Sequence, residues 1–386
     1  MRPRPSQIQH FPSQRRARTP PRWVRVDDAE LLRRVQRVRT DEALQRSLSP
    51  CDLASGSWKW EVNKKNFSVC SRRGRRVGAP RAEVFATGTI HNTTVERLAA
   101  FIRSGNETDF NNSMKALYKG EFIYGSLVHI VACGDINQPA HRTENACEQC
   151  DQVTVKTCAF VRHARISLDN NEQWCFVEQF RRTPHGFAIE FSSLDTSEIS
   201  LGKARPGCID ELQPIIGRVS VEQTSPSLPV RVVFQARLDD RATVTHLTQK
   251  LCSVKTTLGR MVQLAKGMSR LGNFVRDRPG ANPHHHSNSH CISCTTHLKL
   301  AYRLAGRTRQ CQLCFFSACH NCCQREQLVI YNRYTAALEV CHRCKESMQG
   351  GEYSHLQLLE TKRLGDSFDS RSLRQSELTS VGALSM

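Results

Sequence analysis

Four repeats of the pattern Cys-x2-Cys near the C-terminal end constrain this chain more than any other sequence feature. The chain has 18 cysteines in 386 residues, and nine of them lie between positions 291 and 344. Eight of the nine form four pairs, namely Cys291/Cys294, Cys311/Cys314, Cys319/Cys322 and Cys341/Cys344. Because each Cys-x2-Cys turn presents two thiolates to one metal ion, the pairs predict two four-thiolate sites. Sites closed by four sulfurs hold structural rather than catalytic zinc, so we expect two structural Zn2+ ions.

The rest of the chain favours metal binding over disulfide bonds as the reason for so many cysteines. Residues 1–50 contain no apolar core of a secretory signal, and no stretch approaches the roughly 18 apolar residues of a membrane-spanning helix. We therefore expect a cytoplasmic protein, in which thiols stay reduced. The net charge of +19 suits an anionic membrane or a nucleic acid. No recognition helix or platform of stacking aromatics is evident, which makes nucleic acid the less favoured partner.

The spacing of the cysteine pairs leaves two arrangements open. If neighbouring pairs shared a metal, the second and third pairs would form one site, because only 4 residues separate them. The first and fourth pairs would then have to gather around a separate knot. Alternation of the pairs in a cross-brace avoids this, and we favour it. Cys323 could replace its neighbour Cys322 as a ligand, although the uniform Cys-x2-Cys spacing favours Cys322.

Over roughly residues 285–350 the array resembles FYVE-type zinc fingers, which share the short interval between the second and third pairs. The resemblance implies a cross-brace module that binds phosphatidylinositol 3-phosphate on endosomal membranes. The family reads R(R/K)HHCR around its third cysteine, where this chain has GRTRQCQ at residues 306–312. By this resemblance, Arg307 and Arg309 are the residues expected to contact lipid phosphate.

The chain also departs from the family pattern. It lacks the histidine pair and the trailing arginine of the basic motif, and the WxxD that precedes the first cysteine in the family. Glu339 stands where the family has an arginine before the fourth pair, and Phe315 stands where glycine is common. These departures concern the head-group contacts and leave the eight paired cysteines intact.

Between about Gly88 and Leu271 the hydrophobic pattern is that of a folded domain. A short helix is predicted around residues 95–102, and period-two alternation predicts antiparallel strands with one covered face. In the clearest strand, one side consists of Val230, Val232, Phe234, Ala236 and Leu238. Apolar residues at helical spacing from Val244 onwards predict one long helix. An antiparallel sheet closed by such a helix indicates an α+β helix-grip fold, and the segment weakly resembles START-like lipid-transfer domains.

These patterns divide the chain into two folded parts and two tails. Residues 1–50 carry 12 arginines against 5 acidic residues, and we predict a basic, disordered tail there with one possible short helix. The START-like helix-grip domain is predicted at 51–278, followed by a linker at 279–290. The FYVE-type zinc finger is predicted at 285–350 and a disordered serine-rich tail at 351–386.

The sequence favours a non-enzymatic, zinc-binding adaptor with lipid binding and phosphoinositide-dependent membrane association. No nucleophile–base constellation, glycine-rich phosphate loop or HExxH motif is evident, which disfavours an enzyme. On this interpretation the protein is cytoplasmic and lies peripherally on endosomal membranes. The alternative is a protein-interaction scaffold, or a ubiquitin-ligase-like zinc module, that binds no lipid. In a third hypothesis the zinc module only stabilises its neighbour. The sequence leaves open whether the larger domain encloses a cavity, because a cavity and a filled core need the same apolar faces.

Overall fold

The computed structural model describes most of the two predicted folded parts and little of the predicted tails. The described residues are 23–45, 57–64, 66–76, 79–131, 152–162, 170–239, 250–272, 288–299, 308–331, 334–349 and 356–358. Most of the predicted linker and of both predicted tails therefore lies outside the described residues. Within the described part of the chain, no helix is long and apolar enough to cross a membrane.

Ten strands of the larger domain form one sheet, in which only the short strand β8 is parallel to its neighbour. β8 (Ile209–Glu211) pairs with the start of β6. The other strands are, in spatial order, β1 (Lys59–Lys64), β2 (Phe67–Arg76), β3 (Ala79–Ile90), β10 (Val230–Leu238), β9 (Ile215–Glu222), β7 (Gly186–Ser193), β6 (Asn171–Thr183), β5 (Gln152–Phe160) and β4 (Phe122–Val131). The chain therefore starts at one edge, crosses to the other edge at β4 and returns to the centre with β10.

Three helices cover one face of this sheet, which we call the inner face. The helices that the structure describes are, in chain order, α1 (Asp28–Arg39), α2 (Glu42–Gln45), α3 (Val95–Ile102), α4 (Glu107–Tyr118), α5 (Val254–Met268) and α6 (His342–Gln349). The inner helices α3, α4 and α5 begin at Thr94, Asn106 and Ser253, whose side-chain oxygens accept a backbone N–H of the first turn. A large antiparallel sheet with α5 lying on it confirms the predicted α+β helix-grip fold.

The inner core consists of aromatic and aliphatic side chains from the strands and the three helices. Trp174 and Phe176 of β6 are stacked with their ring centroids 4.0 Å apart, and Phe191 of β7 meets Trp174 edge-on. Phe234 of β10 and Met268 of α5 are buried in the same cluster. The period-two pattern that predicted the clearest strand is therefore found in β10, whose apolar side chains are turned towards the helices.

The N-terminal helix α1 covers part of the opposite, outer face. Its buried residues Leu31 and Val35 pack in one cluster with Val155 of β5 and Val177 of β6. Arg34 on the same helix forms an ion pair with Glu198, with 2.7 Å between nitrogen and oxygen. Residues 23–45, which the sequence analysis assigned to a tail, are thus folded onto the sheet.

The long helix is shorter than its hydrophobic pattern predicted. The pattern began at Val244, which lies outside the described residues, whereas α5 begins at Val254. Immediately before it, Leu251 forms a bridge with Glu211, and the backbone N–H of Cys252 donates to the carbonyl of Glu211 at 2.6 Å. Residues just before the helix are therefore extended, because their backbone groups pair beside β8.

A buried group of charged side chains joins α5 to the sheet. Arg260, which is 5% exposed, binds Glu172 of β6 and lies 2.6 Å from Glu121. Arg162 reaches Glu172 at 3.2 Å and Asp210 at 2.8 Å. Because removal of one partner leaves buried charge unpaired, such a network is intolerant of single substitutions.

Arg260→Met should therefore destabilise the domain by about 3–5 kcal/mol, since Glu121 and Glu172 lose their shared guanidinium. Lys255→Met on the exposed face of the same helix is the control, with an expected effect within about 0.5 kcal/mol. Urea unfolding followed by tryptophan fluorescence measures both. Equal effects of the two variants would show that the network contributes no special stability.

Candidate metal centre and interior cavity

The structure brings the eight paired cysteines together in two groups of four. Within each group, all four sulfur atoms lie within 4.8 Å of one another. The groups combine alternate pairs: one is Cys291, Cys294, Cys319 and Cys322, and the other is Cys311, Cys314, Cys341 and Cys344. This is the cross-brace arrangement, and it decides between the two arrangements that spacing left open.

The distances between sulfur atoms fit tetrahedral zinc. With a Zn–S bond of about 2.3 Å, the sulfurs of a tetrahedral site lie about 3.8 Å apart. The Sγ atoms of Cys294 and Cys319 are 3.6 Å apart, and those of Cys314 and Cys341 are 3.8 Å apart. Four thiolates without a carboxylate or imidazole suit zinc among the common ions.

The first two pairs lie in turns of the same construction. In each turn the residue after the second cysteine, Thr295 or Phe315, has φ near 60° and donates its backbone N–H to the carbonyl of the first cysteine at 2.9 Å. A positive φ explains why glycine is common at the position of Phe315 in the family that the module resembles. The side chain present there is accommodated, and the turn still presents both sulfurs.

Strands and one helix position the other two pairs. The module comprises β11 (Thr308–Gln310), β12 (Ser317–Cys319), β13 (Cys323–Ile330), β14 (Tyr334–Cys341), β15 (Leu356–Leu358) and α6. Cys319 ends β12 and Cys341 ends β14. Cys322 belongs to the first sulfur group, whereas Cys323 is fully buried at the start of β13. Burial raises the pKa of the Cys323 thiol to about 12, as expected for a packed side chain outside both groups.

The structure locates one of the two arginines predicted to contact lipid phosphate. Arg309 on β11 donates from Nη1 to both carboxylate oxygens of Glu339, at 3.1 and 2.8 Å. Glu339 is the acid that stands where the resembling family has an arginine, so this departure from the family pattern pairs with an arginine that the resemblance assigned to lipid phosphate. Arg307 lies outside the described residues.

The metal-binding module packs against the outer face of the sheet through Arg343. This residue lies between Cys341 and Cys344 and is 6% exposed. Its guanidinium donates to the carbonyl of Gly202 at 3.1 Å and to the hydroxyl of Ser126 on β4. It also lies 4.6 Å above the ring of Tyr124. A side chain between two metal ligands therefore makes the central contact to the larger domain.

The turn of the first cysteine pair makes a second set of contacts with the larger domain. The backbone N–H of Arg205 donates to the carbonyl of Ser293 at 2.9 Å, and the side-chain amide of Asn171 donates to the carbonyl of Thr295 at 2.8 Å. A guanidinium nitrogen of Arg205 lies 3.7 Å from the sulfur of Cys322. Groups of the sheet domain thus surround one of the sulfur sites.

An aromatic contact completes this interface. The rings of Phe316 and Tyr124 meet edge to face with centroids 5.1 Å apart. The ammonium group of Lys115 lies 5.2 Å from the Phe316 ring, and burial lowers the pKa of Lys115. Sequence patterns could not have identified these contacts, because they join residues about 200 positions apart whose exposure depends on docking.

A small, partly open cavity with one charged pair in its wall lies on the inner face of the sheet. The cavity has a volume of about 60 Å³ and lies between β5–β7 and the helices α4 and α5. Its lining is apolar except for Ser104, Ser113, Lys156 and Glu178. Lys156, which is 1% exposed, binds Glu178 and lies 4.7 Å from the ring of Phe110.

The sequence carried a signal for this pair that the sequence analysis missed. Glu178 occupies the same parity in β6 as the inward-facing Trp174, Phe176 and Phe180. Lys156 likewise shares the parity of Cys158 on β5. A charged residue that interrupts an apolar face is a candidate for a buried functional group.

A larger cavity of about 340 Å³ lies on the outer face between α1 and the sheet. Its walls include Arg34, Asp195, Glu198 and Glu211, together with several backbone and hydroxyl groups. Arg34 pairs with Glu198, and the side chain of Asp195 accepts a backbone N–H. This polar lining is unsuited to an apolar ligand.

Comparison with known proteins yields similar structures only. No family model and no curated protein matches the chain. Human StAR-related lipid transfer protein 5 has 12% identity and a TM-score of 0.40, over 65% of this chain and 99% of its own. Human STARD10 has 11% identity and a TM-score of 0.35, over 61% and 82%. The lipid transfer and protein localization domain of human StarD13 (DLC2) has 11% identity and a TM-score of 0.33, over 64% and 96%. Because these identities and TM-scores are low, the assignment of the fold rests on the strand order and helices of this chain itself.

Native mass spectrometry of the purified chain should show two bound zinc ions, one for each sulfur group. Cys314→Ser should lose one ion and unfold the small module, because zinc contributes on the order of 10–16 kcal/mol to the folding of such modules. Cys252→Ser, at a cysteine outside both groups, is the control and should retain both ions. A count of one or no zinc in the unmodified chain would refute the two-site interpretation.

Removal of zinc should also destabilise the sheet domain, because the module covers part of its outer face. All 4 tryptophans lie outside the module, so their fluorescence reports on the larger domain alone. If docking contributes about 2 kcal/mol, chelation should lower the Tm by about 4–8 °C. In Arg343→Met, chelation should lower the Tm by less than it does in the unmodified chain. In Lys345→Met, at a neighbouring position, chelation should lower the Tm as much as in the unmodified chain. An unchanged Tm after complete chelation would show that the two parts are uncoupled.

Proposed function

We propose that this protein is a non-enzymatic lipid-binding adaptor held together by two structural zinc ions. One amphiphilic lipid would bind between the inner face of the sheet and the helices α4 and α5. The zinc module would stabilise the outer face and associate with membranes through its positive charge. The observation that carries the proposal is the buried pair of Lys156 and Glu178 in the wall of an otherwise largely apolar interior.

A buried ion pair is a poor way to stabilise a core. Its desolvation offsets much of its attraction, and apolar residues of the same volume often stabilise a protein equally well. Lys156 and Glu178 lie next to the only polar hydroxyls of the cavity lining that the structure describes, Ser104 and Ser113. Together these groups offer donors and acceptors to the polar end of a lipid, while Trp174 and Phe176 would contact its apolar part.

The cavity must expand to admit a lipid. Its volume of about 60 Å³ is well below the roughly 300–1,000 Å³ of typical ligand sites. One wall is formed by Met114 and Leu117 of α4 and by Leu264 and Met268 of α5. Movement of these helices away from the strands would enlarge the space, so we assign the described conformation to the lipid-free state.

A dependence of membrane binding on phosphoinositides would require Arg309 to contact the lipid phosphate. In the described conformation both carboxylate oxygens of Glu339 accept from one guanidinium nitrogen of Arg309, so a phosphate would have to compete with this carboxylate. We therefore propose that membrane association depends mainly on total negative charge, with a weak preference for phosphoinositides. In this proposal the cross-brace and the contacts between the zinc module and the sheet keep a purely structural role.

The lipid site can be tested by a pair of substitutions that separates binding from stability. Lys156→Met alone should destabilise the protein by about 3–5 kcal/mol, because Glu178 is left unpaired. Lys156→Met combined with Glu178→Met should restore stability to within about 1 kcal/mol, but reduce lipid retention about 10-fold, or 1.4 kcal/mol. Native mass spectrometry after incubation with mixed-lipid vesicles measures the retained lipid.

The matched control removes a half-buried ion pair in the zinc module, Lys345 and Glu326, which are 2.7 Å apart. Lys345→Met with Glu326→Met should leave lipid retention unchanged. If the unmodified chain retains no lipid from neutral, anionic or sterol-containing vesicles, the lipid-binding function is wrong.

Vesicle sedimentation tests the membrane part. Glu339→Gln should free Arg309 and increase binding to phosphatidylinositol 3-phosphate vesicles several-fold, whereas Arg309→Gln with Glu339→Gln should abolish that increase. Binding should fall as salt rises, as expected for charge-driven association. Equal, negligible sedimentation with every vesicle composition would instead favour the protein-interaction scaffold.

A further inference from the structure

The hairpin of β2 and β3 extends beyond the rest of the sheet as a two-stranded arm. The pairing of β1 with β2 ends at Ser71, and the pairing of β10 with β3 ends at Glu83. Beyond these points, residues 72–76 pair only with residues 79–82 within the described part of the chain. We call these two segments the arginine arm. A Cβ atom added to Gly74 would contact nothing within 4 Å, so the arm is open to its surroundings there.

The charges of the arm all have one sign. Its charged residues are Arg72, Arg73, Arg75, Arg76 and Arg81. At its base, Glu83 binds both Arg72 and Arg81, so a single carboxylate serves two guanidinium groups. Arg73 is exposed and forms no hydrogen bond or ion pair with any residue that the structure describes. A sheet interior needs none of these charges, and a free two-stranded ribbon has little stability of its own.

Tryptophan side chains lie beside the base of the arm. The guanidinium of Arg72 lies 4.6 Å from the ring of Trp58, in a small cluster with Cys70 and Phe85 on the outer face. Trp60 pairs with Cys70 across β1 and β2 and is 46% exposed. An exposed indole next to cationic side chains matches the boundary between lipid head groups and acyl chains, where tryptophan is enriched.

We propose that the arginine arm, together with Trp60, is a docking site for anionic phospholipid membranes. The positive charge of the arm would attract lipid phosphates, and the indole of Trp60 would enter the head-group region. The inference rests on the proposed function only in that it takes a membrane to be the relevant partner. The site is separate from the zinc module, which packs near β4 at the other edge of the sheet.

A nucleic acid is the competing polyanion, because a two-stranded ribbon also fits the major groove of a duplex. The exposed Trp60 favours the membrane, since phosphate contacts along a duplex need no indole at the base of the ribbon. The described uncharged residues of the arm, Gly74 and Ala82, offer no side-chain hydrogen bonds to base edges. The membrane is therefore the partner to which the observations point.

The test uses the full, zinc-loaded chain and reverses three charges of the arm, as Arg73→Glu/Arg75→Glu/Arg76→Glu. Sedimentation is measured with vesicles of phosphatidylcholine alone and with about 30% phosphatidylserine. Since each arginine near such a surface favours binding about 5-fold, reversal of three should weaken partitioning on the order of 100-fold or more. The matched control, Arg33→Glu/Arg97→Glu/Arg231→Glu, changes net charge equally at exposed positions elsewhere and should weaken it less than about 5-fold.

A second measurement follows Trp60 directly. The fluorescence difference between the unmodified chain and Trp60→Phe should shift to shorter wavelength on phosphatidylserine vesicles, and this shift should vanish in the arm variant. Circular dichroism and zinc content confirm that each variant is folded. Equal losses in the arm variant and the control variant, or an unchanged fluorescence of Trp60, would overturn the assignment.

The outcomes also separate this inference from the proposed lipid-binding function. An arm variant that retains lipid in its interior but no longer binds vesicles supports the arm and keeps the proposed function. An unmodified chain that binds vesicles through the arm but never retains a lipid supports the arm and refutes the proposed function. Arm-dependent binding of a labelled DNA or RNA duplex, with no arm-dependent vesicle binding, overturns the membrane assignment.

Discussion

Both faces of the ten-stranded sheet carry apolar side chains, and burial of both faces is the constraint on which the rest of the structure depends. An apolar face is stable only when another element removes it from water. Helices α3, α4 and α5 cover the inner face. The outer face is divided between α1, which packs on Val155 and Val177, and the zinc module, which packs on Tyr124. The N-terminal segment and the C-terminal module are therefore parts of one folded unit.

The cysteine groups meet this requirement in a region that has few core residues of its own. Metal coordination would replace the core that so short a module cannot build. The same coordination would position Arg343, because this residue lies between two cysteines of one sulfur group. Its guanidinium is thereby held against Tyr124 and the carbonyl of Gly202. Formation of the metal site and formation of the interface are thus linked through a single loop.

The sequence predicted the elements that depend on local pattern. Alternation identified β10, and the hydrophobic pattern around residues 95–102 identified α3. It also predicted that cysteines would form two groups. It misplaced the start of α5, because Leu251 fits the helical pattern but forms a bridge to Glu211 instead. It predicted one possible short helix in the N-terminal segment, which is α1, but not that Leu31 and Val35 of this helix would pack on the outer face of the sheet.

By itself, the sequence determined the four cysteine pairs and the apolar faces of the main strands, because spacing and periodicity are local properties. Only the tertiary structure decided which pairs share a site, since alternation and adjacency satisfy the same spacing. It also placed Lys156 opposite Glu178, Arg309 against Glu339 and Arg343 against the sheet. Those placements depend on contacts between distant segments, and desolvation or pairing of a charge is set by the groups that surround it after folding.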